Sequence, residues 1–152
     1  MESTLYKIVS SSRHSSIFYG PVTTVYGFGI IAIELLNKYL FIKINTNIIL
    51  KLIIEYLVLT ITLSLIEYLG GNILNILFKI DLWDYSNKAI HFGKYVCLIN
   101  SLIWGILGVL YIHVFKNITD AILTQITTKN IYFCIIIFII DLALVLINKL
   151  KI

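Results

Sequence analysis

The chain has 152 residues, of which 59% are hydrophobic and 13% charged, with one proline and a mean hydropathy of +0.95. A soluble domain carries about 25% charged residues, so this composition argues against a soluble enzyme, a disordered tail or a disulfide scaffold and predicts an integral membrane protein. The formal charge of +4 comes from 12 basic and 8 acidic residues. The cations stand singly between apolar runs, as loop cations facing lipid headgroups do, and no nucleic-acid partner is expected.

Residues 1–16 form a polar, serine-rich stretch with Lys7, Arg13 and His14. It holds no apolar core of signal-peptide length followed by a small-residue cleavage site, so the first apolar run is expected to persist and to act as its own insertion signal. Residues 17–152 read as a single transmembrane helical domain. Four apolar runs follow: Ile17 to Leu36 or Phe41, Ile48 to Leu69, Tyr95 to Phe115, and Ile131 to Ile147. Each is near the length that crosses about 30 Å of hydrocarbon at about 1.5 Å per residue. The runs are continuous rather than alternating, and open strand edges do not survive in lipid, which favours helices. The expected fold is an all-α, polytopic membrane bundle of about four transmembrane helices.

Gly70-Gly71 after the second run reads as a helix stop. Tyr6, Phe18 and Tyr19 near the start of the first run, and Trp83, Tyr85 and Tyr95 near the start of the third, sit where amphipathic rings settle at headgroup level. Between the third and fourth runs, Ile118, Ile122 and Ile126 recur every four residues with Thr119 as a candidate N-cap, a pattern that predicts a short interfacial helix. With four spans, Lys7, Arg13, Lys79, Lys88, Lys94, Lys149 and Lys151 share one side, and Lys38, Lys43, Lys51, Lys116 and Lys129 the other. Seven cations against five put both termini in the cytoplasm.

Acidic groups at membrane depth are costly and call for partners. Glu34 and Lys38, and Lys51 and Glu55, have the four-residue spacing of helical ion pairs. Tyr56, Thr60, Ser64 and Glu67 follow at steps of four, four and three and share one face of the second run, extended by Gly71. Such a stripe should face the bundle interior or a wet cavity. Interhelical hydrogen bonding and a substrate or ion pathway both fit it. Asp141, in the middle of the fourth run, has no basic residue within a turn, so it requires a partner from another helix or a proton. Ser101, Gly105 and Gly108 make a small-residue face on the third run that suits close helix packing. His113 reads as an interfacial histidine.

The loop from Lys79 to Lys94 concentrates polar groups: Asp81, Trp83, Asp84, Tyr85, Asn87, Lys88 and His91. Asp84 and His91 could act as acid and base, while Trp83 and Tyr85 could serve as interfacial anchors. Cys97 and Cys134 lie within apolar runs at no ligand spacing, so no metal or other cofactor is expected. There is no Walker A motif, zinc-protease motif or nucleophile elbow. Asn117-Ile118-Thr119 matches a glycosylation sequon, but at the membrane edge it reads as fortuitous.

Five elements occur in order: Tyr19-Gly20-Pro21; Tyr26-Gly27-Phe28-Gly29; Glu67-Tyr68 with Gly70-Gly71; Trp83-Asp84-Tyr85-Ser86; and Cys97-Leu98 with Ser101-Leu102-Ile103-Trp104-Gly105. The series resembles the bacterial membrane family labelled putative ABC-transporter type IV, also called CmpB-like, from Ile17 onward. Asp141 falls where members of that family tend to have an aspartate. Relatives usually carry a further transmembrane helix before the Tyr-Gly-Pro element, where this chain has its polar stretch. They also show Asn-x-Asn-Gly-Arg where His91-Phe92-Gly93-Lys94-Tyr95 stands here.

The resemblance implies a permease-like subunit in the cell membrane beside a separate ATPase subunit, and because four helices are few for two gated half-channels, a homo-oligomer or a partner membrane protein is expected. Its pathway candidates are Glu67, Asp141, Asp84, Tyr85, His91, Tyr26, Thr60 and Ser64. No residue is assigned a catalytic role. Two alternatives accompany this reading. One is a scaffold in which the small-residue face of the third run docks a partner helix. The other is a membrane-embedded, lipid-directed enzyme using Asp84 and His91 with Tyr85 or Glu67.

Overall fold

The structure, a computed structural model, describes residues 24–79 and 81–148. The polar stretch at residues 1–16, the start of the first run, the Tyr19-Gly20-Pro21 element and Lys149 and Lys151 lie outside the described residues. Among the described residues, four helices are long and apolar enough to cross a membrane. In chain order they are α1 (Thr24–Tyr39), α2 (Ile48–Phe78), a rod made of α3 (Leu98–Leu110), a π turn (Tyr111–Phe115) and α4 (Lys116–Gln125), and α5 (Thr128–Asn148). A single 3-10 turn, Phe41–Lys43, follows α1.

Polarity is inverted relative to a soluble protein. Ile131, Phe133, Ile136 and Ile140 on α5 point outward, as do Ile53, Leu57 and Ile61 on α2, while Glu55, Glu67, Ser101 and Asp141 are buried. Lipid tails are as apolar as leucine, so exposing isoleucine to them costs nothing, and helix association rests on close packing and polar contacts. The core that packs α1 against α2 and α3 is small: Ile33, Phe41, Leu59 and Leu63, flanked by Val58, Ile66, Trp104 and Ile112.

The tightest seam joins α2 to α3. Ser101, Gly105 and Gly108 are all buried there. A Cβ on Gly105 would lie 2.0 Å from Thr60 Oγ1 and 2.8 Å from Tyr56 Cε2, and one on Gly108 would lie 3.0 Å from Leu59 Cδ1. Only glycine lets these backbones approach so closely.

Several boundaries differ from those expected. The second span does not stop at Gly70-Gly71. α2 continues to Phe78 and ends on Lys79, whose left-handed backbone (φ 55) lets its N–H reach Asn75 O at 2.9 Å. Gly71 serves instead as a close-approach point, since a Cβ there would lie 2.4 Å from the Tyr95 ring. At 31 residues, α2 is about 46 Å long, more than the hydrocarbon requires. The third span starts at Leu98 rather than Tyr95, because Val96–Cys97 pairs antiparallel with His91–Phe92 in a small hairpin. Gly93, at φ 61, makes its turn.

The isoleucine repeat at Ile118 and Ile122 lies on a helix, but α4 runs on from α3 through the π turn and is not a separate element. Thr119 does not cap it. Its hydroxyl donates to Phe115 O at 3.1 Å, the back-bond of a threonine already inside a helix.

Both local ion pairs are also replaced. Glu34 binds Lys116 Nζ at 2.7 Å and accepts from the Tyr111 hydroxyl at 2.8 Å, while Lys38 lies over the Tyr39 ring. Glu55, 1% exposed, meets His113 Nε2 at 2.6 Å in place of Lys51. Partners on other helices win because they reach the carboxylates directly across the packed bundle, which matters most at buried Glu55, where an unpaired charge costs most.

Candidate functional site

α1, α2 and the α3 rod line a half-open cavity of about 360 Å³, to whose wall the loop before the hairpin also contributes. That volume is within the range of small-ligand sites. Its walls are mainly apolar and aromatic. Tyr26, Gly29 and Ile33 come from α1, Leu63, Ile66 and Glu67 from α2, and Trp83 and Tyr85 from the loop. Trp104, Leu107, Gly108, Tyr111 and Phe115 come from the rod, at steps of three, one, three and four, which is one helical face. Tyr26 and Trp104 pack with ring centroids 5.4 Å apart.

Glu67 is the acidic group of this wall, and it is 6% exposed. The Tyr85 hydroxyl donates to its Oε1 over a long 3.3 Å, and the Trp104 indole stands beside the carboxylate. Oε2 has no hydrogen-bond partner among the described residues. Buried acceptors are normally satisfied, so an open one requires a reason. Burial, and secondarily the charge of Glu67, pushes the Tyr85 phenol up to about 12, so Tyr85 stays a protonated donor at any physiological pH.

Tyr85 is held in place by the loop. Its N–H donates to Lys94 O at 2.8 Å, and the Trp83 indole donates to Tyr95 O at 3.0 Å while stacking edge-on against the Tyr95 ring. Asp81 knots the loop to the hairpin and to α2. It pairs with Lys94 Nζ and accepts from the Tyr95 hydroxyl at 2.5 Å and from Asn75 Nδ2 at 2.9 Å. The Lys94 ammonium holds Asp81 below the usual carboxylate range, and burial raises Tyr95 to about 12.

The expected pathway residues divide into two sets. Glu67, Tyr85 and Tyr26 meet at the cavity. Thr60 and Ser64 do not line it: Thr60 faces Gly105, and the Ser64 hydroxyl donates back to Thr60 O at 2.6 Å. Asp84 is exposed and accepts from the Ser86 N–H at 2.8 Å and the Ser86 hydroxyl at 2.6 Å. His91 is exposed too, its Nδ1 donating to Gly93 O at 2.7 Å. Asp141 is buried on α5, away from the cavity lining.

Sequence patterning does not single out Trp104, Tyr111 or Phe115 as site residues, and it marks Asp81 only as a polar loop group and Lys94 only as a loop cation. The spacing of Trp104, Gly108, Tyr111 and Phe115 was the available signal. Among the described residues, no cluster of histidine, cysteine and acidic side chains could hold a metal ion.

The fold and cavity define an integral membrane protein with a carboxylate set in the wall of an aromatic chamber between its helices. The chain belongs to the family described as "Putative ABC-transporter type IV", whose sequence model matches residues 1–147 and so includes the polar N-terminal stretch. No curated protein and no solved structure matches the chain.

Proposed function

We propose that the chain is a permease-like subunit of a transporter, and that the cavity walled by Glu67, Tyr85 and Trp104 is a station on its transport route. The observation that carries the reading is a chamber of about 360 Å³ holding a buried carboxylate, one of whose oxygens has no hydrogen-bond partner among the described residues. A purely structural glutamate would be expected to have both oxygens satisfied.

Four spans are few for two gated half-pathways, so the subunit works as a homo-oligomer or with a partner membrane protein. In the absence of a Walker A motif in these residues, ATP hydrolysis falls to a separate subunit. The positive-inside count puts both termini on the cytoplasmic side of the cell membrane.

The small-residue face offers the scaffold alternative little docking surface, because Ser101 is buried and Gly105 and Gly108 already pack against Tyr56, Leu59 and Thr60 of the same chain. The enzyme alternative requires Asp84 and His91 at a common pocket, and each is instead exposed and bonded within its own turn.

Proteoliposomes containing the chain and its co-purified ATPase test the reading with a panel of labelled inorganic ions, organic ammonium compounds and neutral solutes. ATP-dependent movement of one of them that falls at least tenfold in Glu67→Gln supports it. Movement indifferent to that substitution takes the cavity off the route.

A further inference from the structure

We propose that the cavity selects a monovalent amphiphilic cation, an ammonium head carrying a small apolar or aromatic body, with Glu67 as its counter-charge. This deepens the permease reading and rests on it for the word substrate, but the binding site can be tested without transport.

Three features of the chamber specify this chemistry. Its walls are overwhelmingly apolar, so most of the ligand must be apolar as well. The rings of Tyr26, Trp83, Tyr85, Trp104 and Tyr111 contribute to those walls, and electron-rich ring faces attract organic cations in dry surroundings. Glu67 is nine-tenths buried, no cationic side chain pairs with it among the described residues, and its Oε2 has no hydrogen-bond partner among them.

The contrast with buried Glu55 and part-exposed Glu34, the other acids of α1 and α2, is informative. Glu34 has Lys116 and Glu55 has His113, so this bundle supplies a basic partner where an acid is structural. At Glu67, among the described residues, it supplies only the Tyr85 hydroxyl at 3.3 Å and the Trp104 indole nearby. An arriving ammonium displaces the long Tyr85 contact and restores charge balance. An anionic ligand would face uncompensated repulsion, and a neutral one, even if it donated a hydrogen bond to Oε2, would leave the carboxylate charge uncompensated. A small inorganic cation would bring too few oxygen ligands from these walls to replace its hydration shell.

The chain has two tryptophans, Trp83 and Trp104, and both line the cavity, so intrinsic fluorescence reports its occupancy. The full-length protein in detergent is titrated with benzyltrimethylammonium and, separately, with neopentylbenzene, which has the same shape with carbon in place of the charged nitrogen. The expected result is a saturable change with the cation, none with the hydrocarbon at equal concentration, and at least tenfold weaker cation binding in Glu67→Gln.

If Glu67→Gln fails to fold, Gly29→Leu provides the second variant. It projects a side chain from α1 into the chamber and is expected to abolish the saturable signal. Overturning results are no saturable signal in the wild type, equal signals from the two probes, or affinity unchanged by both substitutions. Binding that behaves as expected without transport would leave this inference standing and defeat the permease reading. Transport of a neutral or anionic solute, with no cation binding, would do the reverse.

Discussion

The Glu55 carboxylate on α2 and the His113 imidazole on the π turn meet at 2.6 Å, across 58 residues of sequence. Glu55 is 1% exposed, whereas the His113 side chain is 37% exposed. The π turn sets the phase of this contact by adding a residue to one helical turn, which re-aims the side chains that follow. Such turns concentrate at functional sites, and here Tyr111 and Phe115 of the same turn line the cavity.

Removing one side of the pair should be costly. Truncating a partner in a fully buried ion pair costs about 3–5 kcal/mol because the other charge is stranded. His113→Ala leaves Glu55 stranded, but the half-open histidine site admits solvent, so the expected loss is roughly 2 kcal/mol. Replacing both, as Glu55→Gln with His113→Ala, should cost less than the sum of the single changes. Chemical unfolding in mixed micelles, run as a double-mutant cycle, checks the coupling. Additive losses would mean that the contact contributes no stability.

The glycines separate by what a methyl group would strike. Gly105→Ala drives Cβ to 2.0 Å from Thr60 Oγ1, and Gly71→Ala drives it to 2.4 Å from the Tyr95 ring. Overpacking of this kind costs about 1–3 kcal/mol, with the larger loss expected at Gly71, where an anchored ring must move. Gly27→Ala meets nothing within 4 Å, so helix propensity alone acts and stability should rise by about 0.5–1 kcal/mol. Thermal unfolding of the three variants in one detergent provides the ranking. A stable Gly105→Ala would refute the close α2–α3 contact.

The same positions show how far sequence patterning reaches. Ser101, Gly105 and Gly108 were recognisable because small residues at helical spacing on an apolar run have few other uses. The four spans were recognisable because lipid demands long continuous apolar runs. Gly70-Gly71 misled because glycine serves both to end helices and to admit a neighbour, and only the distant Tyr95 decides between the two. Glu34 and Glu55 misled for a related reason. An i,i+4 cation is visible in one sequence, while Lys116 and His113, 82 and 58 residues away, become visible only once the helices are packed. For the cavity, Glu67, Tyr85 and Tyr26 were singled out by polarity or motif. Trp104, Tyr111 and Phe115 read as ordinary span residues until α1 leaves the space open beside them.

The loop cluster sets a pH window. The Lys94 ammonium, followed by the Tyr95 hydroxyl, lowers Asp81 from its ordinary 3.8. A depressed carboxyl stabilises the fold above its unfolded value, and that contribution is lost as pH falls through the folded value. Lys94 is raised from 10.5 by its bond to Asp81, so its contribution is full below 10.5 and is lost as pH rises through the folded value. Tyr95 moves from 10.0 to about 12 through burial, so its contribution fades between those values, as the unfolded phenol ionises first. Near-ultraviolet circular dichroism from the Trp83–Tyr95 edge contact should therefore be level from about pH 5 to about pH 9 and decline on either side. Asp81→Asn should blunt the acidic limb. An acidic limb of unchanged shape in that variant would place the titrating group elsewhere.

Lys79 ends α2 in the left-handed conformation at φ 55. A side chain there costs roughly 1–2 kcal/mol because Cβ crowds the carbonyl oxygen. Lys79→Gly relieves that cost and gives back about 0.4–1 kcal/mol through the freer unfolded chain, for a net gain of roughly 1 kcal/mol. Lys79→Ala retains Cβ and should leave stability within about 0.5 kcal/mol of the parent, as expected for a surface substitution. Measuring both variants by thermal unfolding isolates the backbone effect from the loss of charge. A gain in the glycine variant alone identifies strain at the end of α2, whereas equal gains in both would trace it to removal of the lysine charge.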